Sequence, residues 1–215
     1  MLIDTHLHEC THSPDSFMTL RQIVDQARRL GLQAVCITDH ESNGLTETAA
    51  RMSRLWQYPI FVGAEYLTDC GDLTVFGLSE IPDAGMPLSQ MLDLVSRAGG
   101  ACVAAHPFRT NNRGLRDLVK TARGLHGVEV FNGSTDPANN LRALSAAREA
   151  GLSLLGGSDA HTTGQVGRFA TRFPEGIRSV ADLVEAIRSG QTLPVAYSAG
   201  VYREAEPLLK GQLAG

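Results

Sequence analysis

The run "MLIDTHLHE" sets Asp4, His6 and His8 at alternate positions directly after a short apolar start. On an extended strand residues i and i+2 face the same side, so the two imidazoles can converge on one cation. Asp4, one step deeper on that face, is placed to accept a ring N–H and fix the tautomer of a ligating histidine. Similar groups recur where later apolar runs end: Asp39 and His40, Glu65, His106, Glu129, then Asp159 and His161. Five of the seven histidines fall at such ends. Imidazole with carboxylate suits Zn²⁺, Mn²⁺ or Fe²⁺, whereas Ca²⁺ would take oxygen ligands throughout. The set exceeds what one tetrahedral ion can use, which implies more than one metal.

The elements that must carry these groups follow from the same runs. "LIDTH", "AVCITDH", "IFVGAE", "ACVAAHP", "GVEVFNG" and "LSLLGGSDAH" are continuous enough to be parallel strands buried on both faces. Amphipathic segments lie between them. Thr19 with Gln22 spells a capping box ahead of Leu20, Ile23, Val24 and Ala27, with Gly31 as a stop. Leu88, Met91, Leu92 and Val95 form a second stripe, Asp136-Pro137 starts a third helix, and Ser179 a fourth. "DCGDLTVFGL" breaks the alternation as a turn at Gly71 and a short strand through Val75, pairing with the strand that ends near Glu65. Strands alternating with helices predict an α/β barrel or open parallel sheet, whose functional groups collect at the carboxyl ends of the strands. No linker or solenoid repeat divides the chain, so one domain spanning 1–215 is expected.

A 43% hydrophobic fraction over 215 residues is enough for a substantial core. The formal net charge of −4 provides no basic footprint for long nucleic acid, which favours a small ligand. Cys10, Cys36, Cys70 and Cys102 form no CxxC pair and read as reduced cysteines. No run approaches the roughly 18 apolar residues of a membrane span and no signal-peptide pattern opens the chain, so a cytoplasmic protein without a membrane partner is expected. Oligomeric state is left open.

In order, "DTHLH", "SPDS", "ITDH", "GAE", "AHP" and "GSDAH" closely resemble the PHP family, named for polymerase and histidinol phosphatase domains, from Ile3 to about Val195. The resemblance implies a distorted, TIM-barrel-like (β/α)7 barrel in which two or three divalent metal ions (Mn, Fe or Zn) at the C-terminal strand ends hydrolyse phosphate esters. By motif, His6 and His8 would hold the first metal with Glu65 and Asp159; Glu65 would bridge to a second, completed by His106; and Asp15, His40 and His161 would hold the third. Many members carry a histidine near the place of Thr74, so the second metal would lose a ligand or take Glu129 instead. His12, in "CTHSPDS", lies where relatives often have serine and reads as a loop residue. Asp4 and Asp39 are expected behind the ligands.

The expected chemistry is in-line attack on phosphorus, with the metals lowering the pKa of a bridging water and His40 or His161 as the acid for the leaving oxygen. Arg109 and Arg113 in "HPFRTNNRG", and Arg168 in "VGRFA", are candidates to grip the phosphate. Asn111, Asn112 and Asn132 fit either sugar or base recognition or simple turns. The leading expectation is a phosphoesterase acting on a small phosphorylated metabolite or nucleotide. The alternatives are a phosphodiesterase or exonuclease on short oligonucleotides, an amidohydrolase-type C–N hydrolase, and a non-catalytic metal-binding domain. The amidohydrolase reading is weakened because the chain's lysines, Lys120 and Lys210, stand at no strand end where a carboxylated lysine would bridge metals.

Overall fold

Each long apolar run forms strand in the computed structural model, which describes residues 1–213, with "IFVGAE" divided between two strands. In chain order the elements are β1 (Leu2–Asp4), α1 (Leu20–Arg29), β2 (Ala34–Ile37), α2 (Thr46–Trp56), β3 (Ile60–Val62), β4 (Ala64–Leu67), β5 (Asp72–Phe76), α3 (Leu88–Arg97), β6 (Ala101–Ala104), β7 (Gly127–Asn132), α4 (Pro137–Ala150), β8 (Ser153–Gly157), β9 (Phe169–Arg172), α5 (Val180–Arg188), β10 (Leu193–Ser198), β11 (Val201–Glu204) and α6 (Ala205–Leu213). A 3-10 turn, Arg116–Lys120, lies between β6 and β7.

The helix ends follow their capping residues. Thr19 and Gln22 close a reciprocal capping box on α1, and Ser179 does the same with Asp182 on α5, each such cap being worth ~1 kcal/mol. Asp136 accepts from the Asn139 amide ahead of Pro137, and Gly151 ends α4 in the left-handed region. The buried faces of these helices pack into three apolar clusters around the strands. One is centred on Tyr66, Leu73 and Phe131, one on Leu7, Ile23 and Ile37, and one on Ile3, Phe76 and Leu183.

The strands sort into two sheets, with order β11-β10-β9-β1-β2-β3 and β4-β5-β6-β7-β8. A single closed ring is therefore not what forms among the described residues. β1–β2–β3 and β6–β7–β8 are parallel, as the runs predicted, but β5, β9, β10 and β11 pair antiparallel, and β3 and β4 belong to different sheets. The break falls at Gly63, where a Cβ would lie 2.5 Å from the Val75 carbonyl oxygen. At the carboxyl ends of the strands the two sheets are stitched by isolated parallel bridges, Leu7 to Ala160 and His40 to Glu65. Those stitches bring the polar strand ends to one rim.

The antiparallel hairpin has a consequence for that rim. β5 pairs with β4 through Glu65 and Thr74, and with β6 through Leu73 and Ala104. Because β5 runs opposite to its neighbours, its first residue, Asp72, lies beside their last ones. No helix among the described residues is long and apolar enough to cross a membrane.

Candidate metal centre

His6, His8, Glu65, His106, Glu129 and Asp159 are all buried at the rim, between 0% and 2% exposed, a density of ionisable groups that requires mutual compensation. Three groups of candidate ligand atoms lie within 4.8 Å of one another: His6, His8 and Asp159; His8, His40 and His161; and Glu65, Asp72 and His106. Glu65 stands between them. Its carboxylate is 2.7 Å from His106 Nε2, 2.9 Å from His40 Nδ1, 3.5 Å from His8 Nε2 and 3.6 Å from His6 Nε2.

The tautomers of the opening pair can be read from their partners. His6 Nδ1 lies 3.1 Å from Glu129 Oε1, an acceptor, so that nitrogen carries the proton. His8 Nδ1 lies 3.2 Å from Ser13 Oγ, whose own hydrogen goes to Asp39 Oδ1 at 2.8 Å, so Ser13 accepts from His8. Both Nε2 atoms then face each other at 3.1 Å, with Asp159 Oδ1 at 3.6 and 3.3 Å. In the metal-free cluster a proton on His6 Nε2 donates to His8 Nε2, and it occupies the place a divalent cation would take. The spacing also suits two imidazoles on one ion with bonds of about 2.1 Å. The donor set therefore fits a divalent metal.

Without a metal the electrostatics of the cluster are those of surplus carboxylate. Burial opposes a charge on His6, but Glu129, Asp159 and Glu65 raise its pKa well above the ordinary value. Burial also works against ionised Glu65 and Asp159, yet the neighbouring histidines hold both well below the usual carboxylate range. His8 goes the other way: burial outweighs its carboxylate partners and pulls it down to about 4. His40, partly open, is pushed up to about 9 because Glu65 and Asp15 overcome its burial.

Nearer the mouth, Asp15 is 57% exposed and its Oδ2 reaches His40 Nε2 at 3.2 Å and His161 Nε2 at 3.3 Å. The His40 and His161 rings stack on His8, with centroids 4.4 and 4.3 Å away. His106 and Asp159 adopt φ of +30° and +52°, values rare outside glycine and found where a fold over-determines a functional side chain.

The remaining expected residues sit behind or beside this cluster. Asp4 does not reach a ring nitrogen: it accepts from the backbone amides of Ser158, Gly167 and His6, fixing β1 to the loop that carries Asp159. The carboxylate that orients His6 is Glu129, which also accepts from the His106 amide and Asn132 Nδ2. Asp39 works through Ser13 and the Glu9 amide. Arg109 donates to Asp159, and to Asn132 Oδ1 at 2.7 Å. Arg113 forms a fork on Asp72, with Nε at 2.7 Å and Nη2 at 3.0 Å. Arg168 Nη1 donates to the Gly133 carbonyl at 2.7 Å. His12 is in none of the three ligand groups and packs over Gly44. Thr74 is buried in β5, and Asp72, two residues earlier on the same face, is the side chain that approaches His106 Nε2, at 3.7 Å.

Asp72 and Ser13 are the site residues that the sequence reading passed over. Asp72 was hidden by the expectation that chemistry gathers at carboxyl ends, because it opens an antiparallel strand. Its only signal was a carboxylate directly after a turn glycine in a hairpin already paired to Glu65.

Comparison with known proteins agrees with this geometry. A family model described as PHP-associated matches residues 137–192, which include Asp159 and His161. The chain is 30% identical over 120 residues to the uncharacterized protein MJ1587 of Methanocaldococcus jannaschii, covering 55% of this chain and 69% of that protein. Among solved structures, PsfC from Pseudomonas syringae superposes with a TM-score of 0.71 at 21% identity, covering 98% of this chain and 95% of that one. A candidate metal-dependent phosphoesterase from Bifidobacterium adolescentis gives 0.63 at 21% identity, covering 75% of this chain and 88% of that one. The lesion-specific endonuclease Q of Pyrococcus furiosus gives 0.64 at 18% identity, covering 100% of this chain and 66% of that one. With its ordered histidine and carboxylate motifs gathered at one rim of this mixed α/β fold, the chain belongs to the PHP family.

Proposed function

We propose that this chain is a metal-dependent phosphoesterase that hydrolyses a small phosphorylated metabolite or nucleotide, with residues 1–215 acting as one domain. The observation that carries the reading is the convergence of His6 Nε2 and His8 Nε2 on Asp159 and Glu65, a buried donor set of the kind that takes divalent cations. Such ions, when bound, supply charge withdrawal from phosphoryl oxygens and make water a competent nucleophile near neutral pH.

The chain's own groups divide the remaining work. His6, His8, Asp159 and Glu65 hold one locus, Glu65 with His106 a second, and Asp15, His40 and His161 a third. Glu129 and Ser13 keep the His6 and His8 rings turned with Nε2 inward. Whichever of His40 and His161, 20% and 24% exposed at the mouth, is not committed to a metal is placed to give a proton to a leaving alkoxide. Arg109, a fifth exposed and anchored on Asp159, presents its guanidinium where a phosphate oxygen would approach. Arg113 and Arg168, held by Asp72 and Gly133, serve the phosphate only if those bonds are exchanged.

Phosphodiester cleavage in a nucleic acid, the kind of activity named for endonuclease Q, is the second reading. The net charge of −4 and the internal engagement of Arg109, Arg113 and Arg168 favour the smaller substrate. The test is a panel of phosphorylated metabolites, mononucleotides, bisphosphates, short oligonucleotides and duplex DNA assayed with Mn²⁺. Turnover of a small ester with intact oligonucleotides supports the proposal. Strand cleavage without small-ester turnover replaces it with the second reading, and no turnover of any phosphate ester ends both.

A further inference from the structure

The three ligand groups are not chemically alike. With Glu65 included, the His6, His8 and Asp159 locus offers two imidazoles and two carboxylates, and the His40, His161 and Asp15 locus two imidazoles and one carboxylate. The third group, Glu65, Asp72 and His106, offers two carboxylates and one imidazole, each 0% to 2% exposed. Nitrogen-rich sites suit Zn²⁺ and Fe²⁺, while carboxylate-rich ones suit Mn²⁺ and Mg²⁺. Glu129 is in none of the three ligand groups and is turned to other partners. Its two oxygens already accept from His6 Nδ1, the His106 amide and Asn132 Nδ2.

Asp72 is held as a metal-facing carboxylate should be. Arg113 donates to both of its oxygens, and the Asp72 amide donates to the Arg113 carbonyl at 2.7 Å. A carboxylate has about four acceptor positions, so this fork leaves lone pairs for a cation. The close approach depends on Gly71: at φ +141° a Cβ there would lie 2.8 Å from the backbone of Gly114. Across the site Arg109 donates through Nη2 alone to Asp159 Oδ2, so Arg109 and Arg113 each fix one carboxylate of a different ligand group.

We infer that the metal centre is heterometallic in preference: the Glu65–Asp72–His106 locus selects an oxygen-seeking ion such as Mn²⁺, and the histidine-rich loci select Zn²⁺ or Fe²⁺, with Asp72 as the residue that sets the difference. The inference rests on the proposed metal-dependent reading of the site. Divalent ions of this row follow a general affinity order in which Zn²⁺ exceeds Mn²⁺ at any one site, so selectivity shows as unequal resistance to exchange rather than as exclusion.

The test loads metal-free full-length protein with Mn²⁺ and titrates in Zn²⁺, following released Mn²⁺ by its solution EPR signal and the bound metals by elemental analysis. Two classes of Mn²⁺ are expected, one requiring at least tenfold more Zn²⁺ for displacement. In Asp72→His the resistant class should become as exchangeable as the other; in Asp72→Asn, which keeps the shape and an acceptor for Arg113, it should be lost, with the circular dichroism spectrum unchanged in both. A single displacement class in the wild type, or two classes unaltered by both substitutions, overturns the inference. Phosphatase assays on the same samples separate it from the functional proposal. Uniform exchange with intact turnover overturns only the inference, while two classes without turnover of any ester support it and remove the phosphoesterase reading.

Discussion

Glu129 stands behind His6, its Oε1 3.1 Å from the ring Nδ1, and so decides which nitrogen of His6 faces the cluster. Removing the charge while keeping the shape separates an orienting role from direct ligation. Glu129→Gln should weaken metal binding by ~10–100-fold, the usual effect of losing a partner of a ligating histidine, without lowering the number of metals bound at saturation. Calorimetric titration of metal-free protein reads both quantities. Loss of one equivalent at saturation would make Glu129 a ligand.

Arg109 joins Asp159, Asn132 and the mouth of the site. If it binds the phosphate, Arg109→Ala lowers kcat/KM by ~2–4 kcal/mol in transition-state terms, the range for a charge-assisted contact whose partner is left unpaired. Arg109→Lys should recover little, because a point charge cannot reproduce the fork. Steady-state kinetics on the best ester of the panel decide it, and wild-type kcat/KM in both variants would return Arg109 to a purely structural part.

Gly157 ends β8 where a Cβ would lie 2.4 Å from Glu129 Oε1 and 2.7 Å from the His6 Cβ. Gly157→Ala must therefore displace either the orienting carboxylate or β1. The expected cost is ~1–3 kcal/mol of stability from overpacking, together with weakened metal binding. Chemical denaturation and metal titration should both respond, and a variant unchanged in either would mean that the close approach is not maintained in solution.

Metal removal should expose a pH dependence. His40 is pushed up to about 9, against 6.5 for an ordinary histidine, despite burial, by Glu65 and Asp15. A folded-state pKa above the unfolded one means the native state binds the extra proton, so the stabilisation is full below 6.5 and is lost as pH rises through about 9. His6, also held well above the ordinary histidine value by Glu129, Asp159 and Glu65, adds a loss of the same sign as pH rises, whereas Asp4 and Asp39, pushed up to about 6 by burial, and His8, pulled down to about 4, have largely titrated below that window. The melting temperature of chelator-treated protein should therefore fall between pH 6.5 and 9, while Mn²⁺-loaded protein, in which cations replace the proton, should not show that loss. Parallel curves would show that metals do not occupy the His40 environment.

What the sequence made legible were the features written in contiguous residues. The buried parallel strands appeared as apolar runs, the caps at Thr19, Asp136 and Ser179 as short motifs, and the pairing of "DLTVF" with the Glu65 strand as a turn glycine between β-formers. Less legible was everything set by pairing across the chain. β9 and β11 have four residues each and β10, though six long, carries Pro194 and an exposed Leu193, so only their antiparallel partners define them. Those partners also leave two open sheets in place of the expected ring. Within the site, His6 and His8 declared themselves by their two-residue spacing. Asp72 did not, since its approach to His106 depends on strand direction, nor did Ser13, whose value lies in relaying Asp39 to His8.

The central claim is that these side chains share several cations. Elemental analysis of protein purified gently without chelators measures this directly, with His6→Ala and Asp159→Ala alongside. Two or three Mn, Fe or Zn per wild-type chain, with fewer in both folded variants, is the predicted result. One metal or none in the wild type, or undiminished metal in both variants, would contradict it.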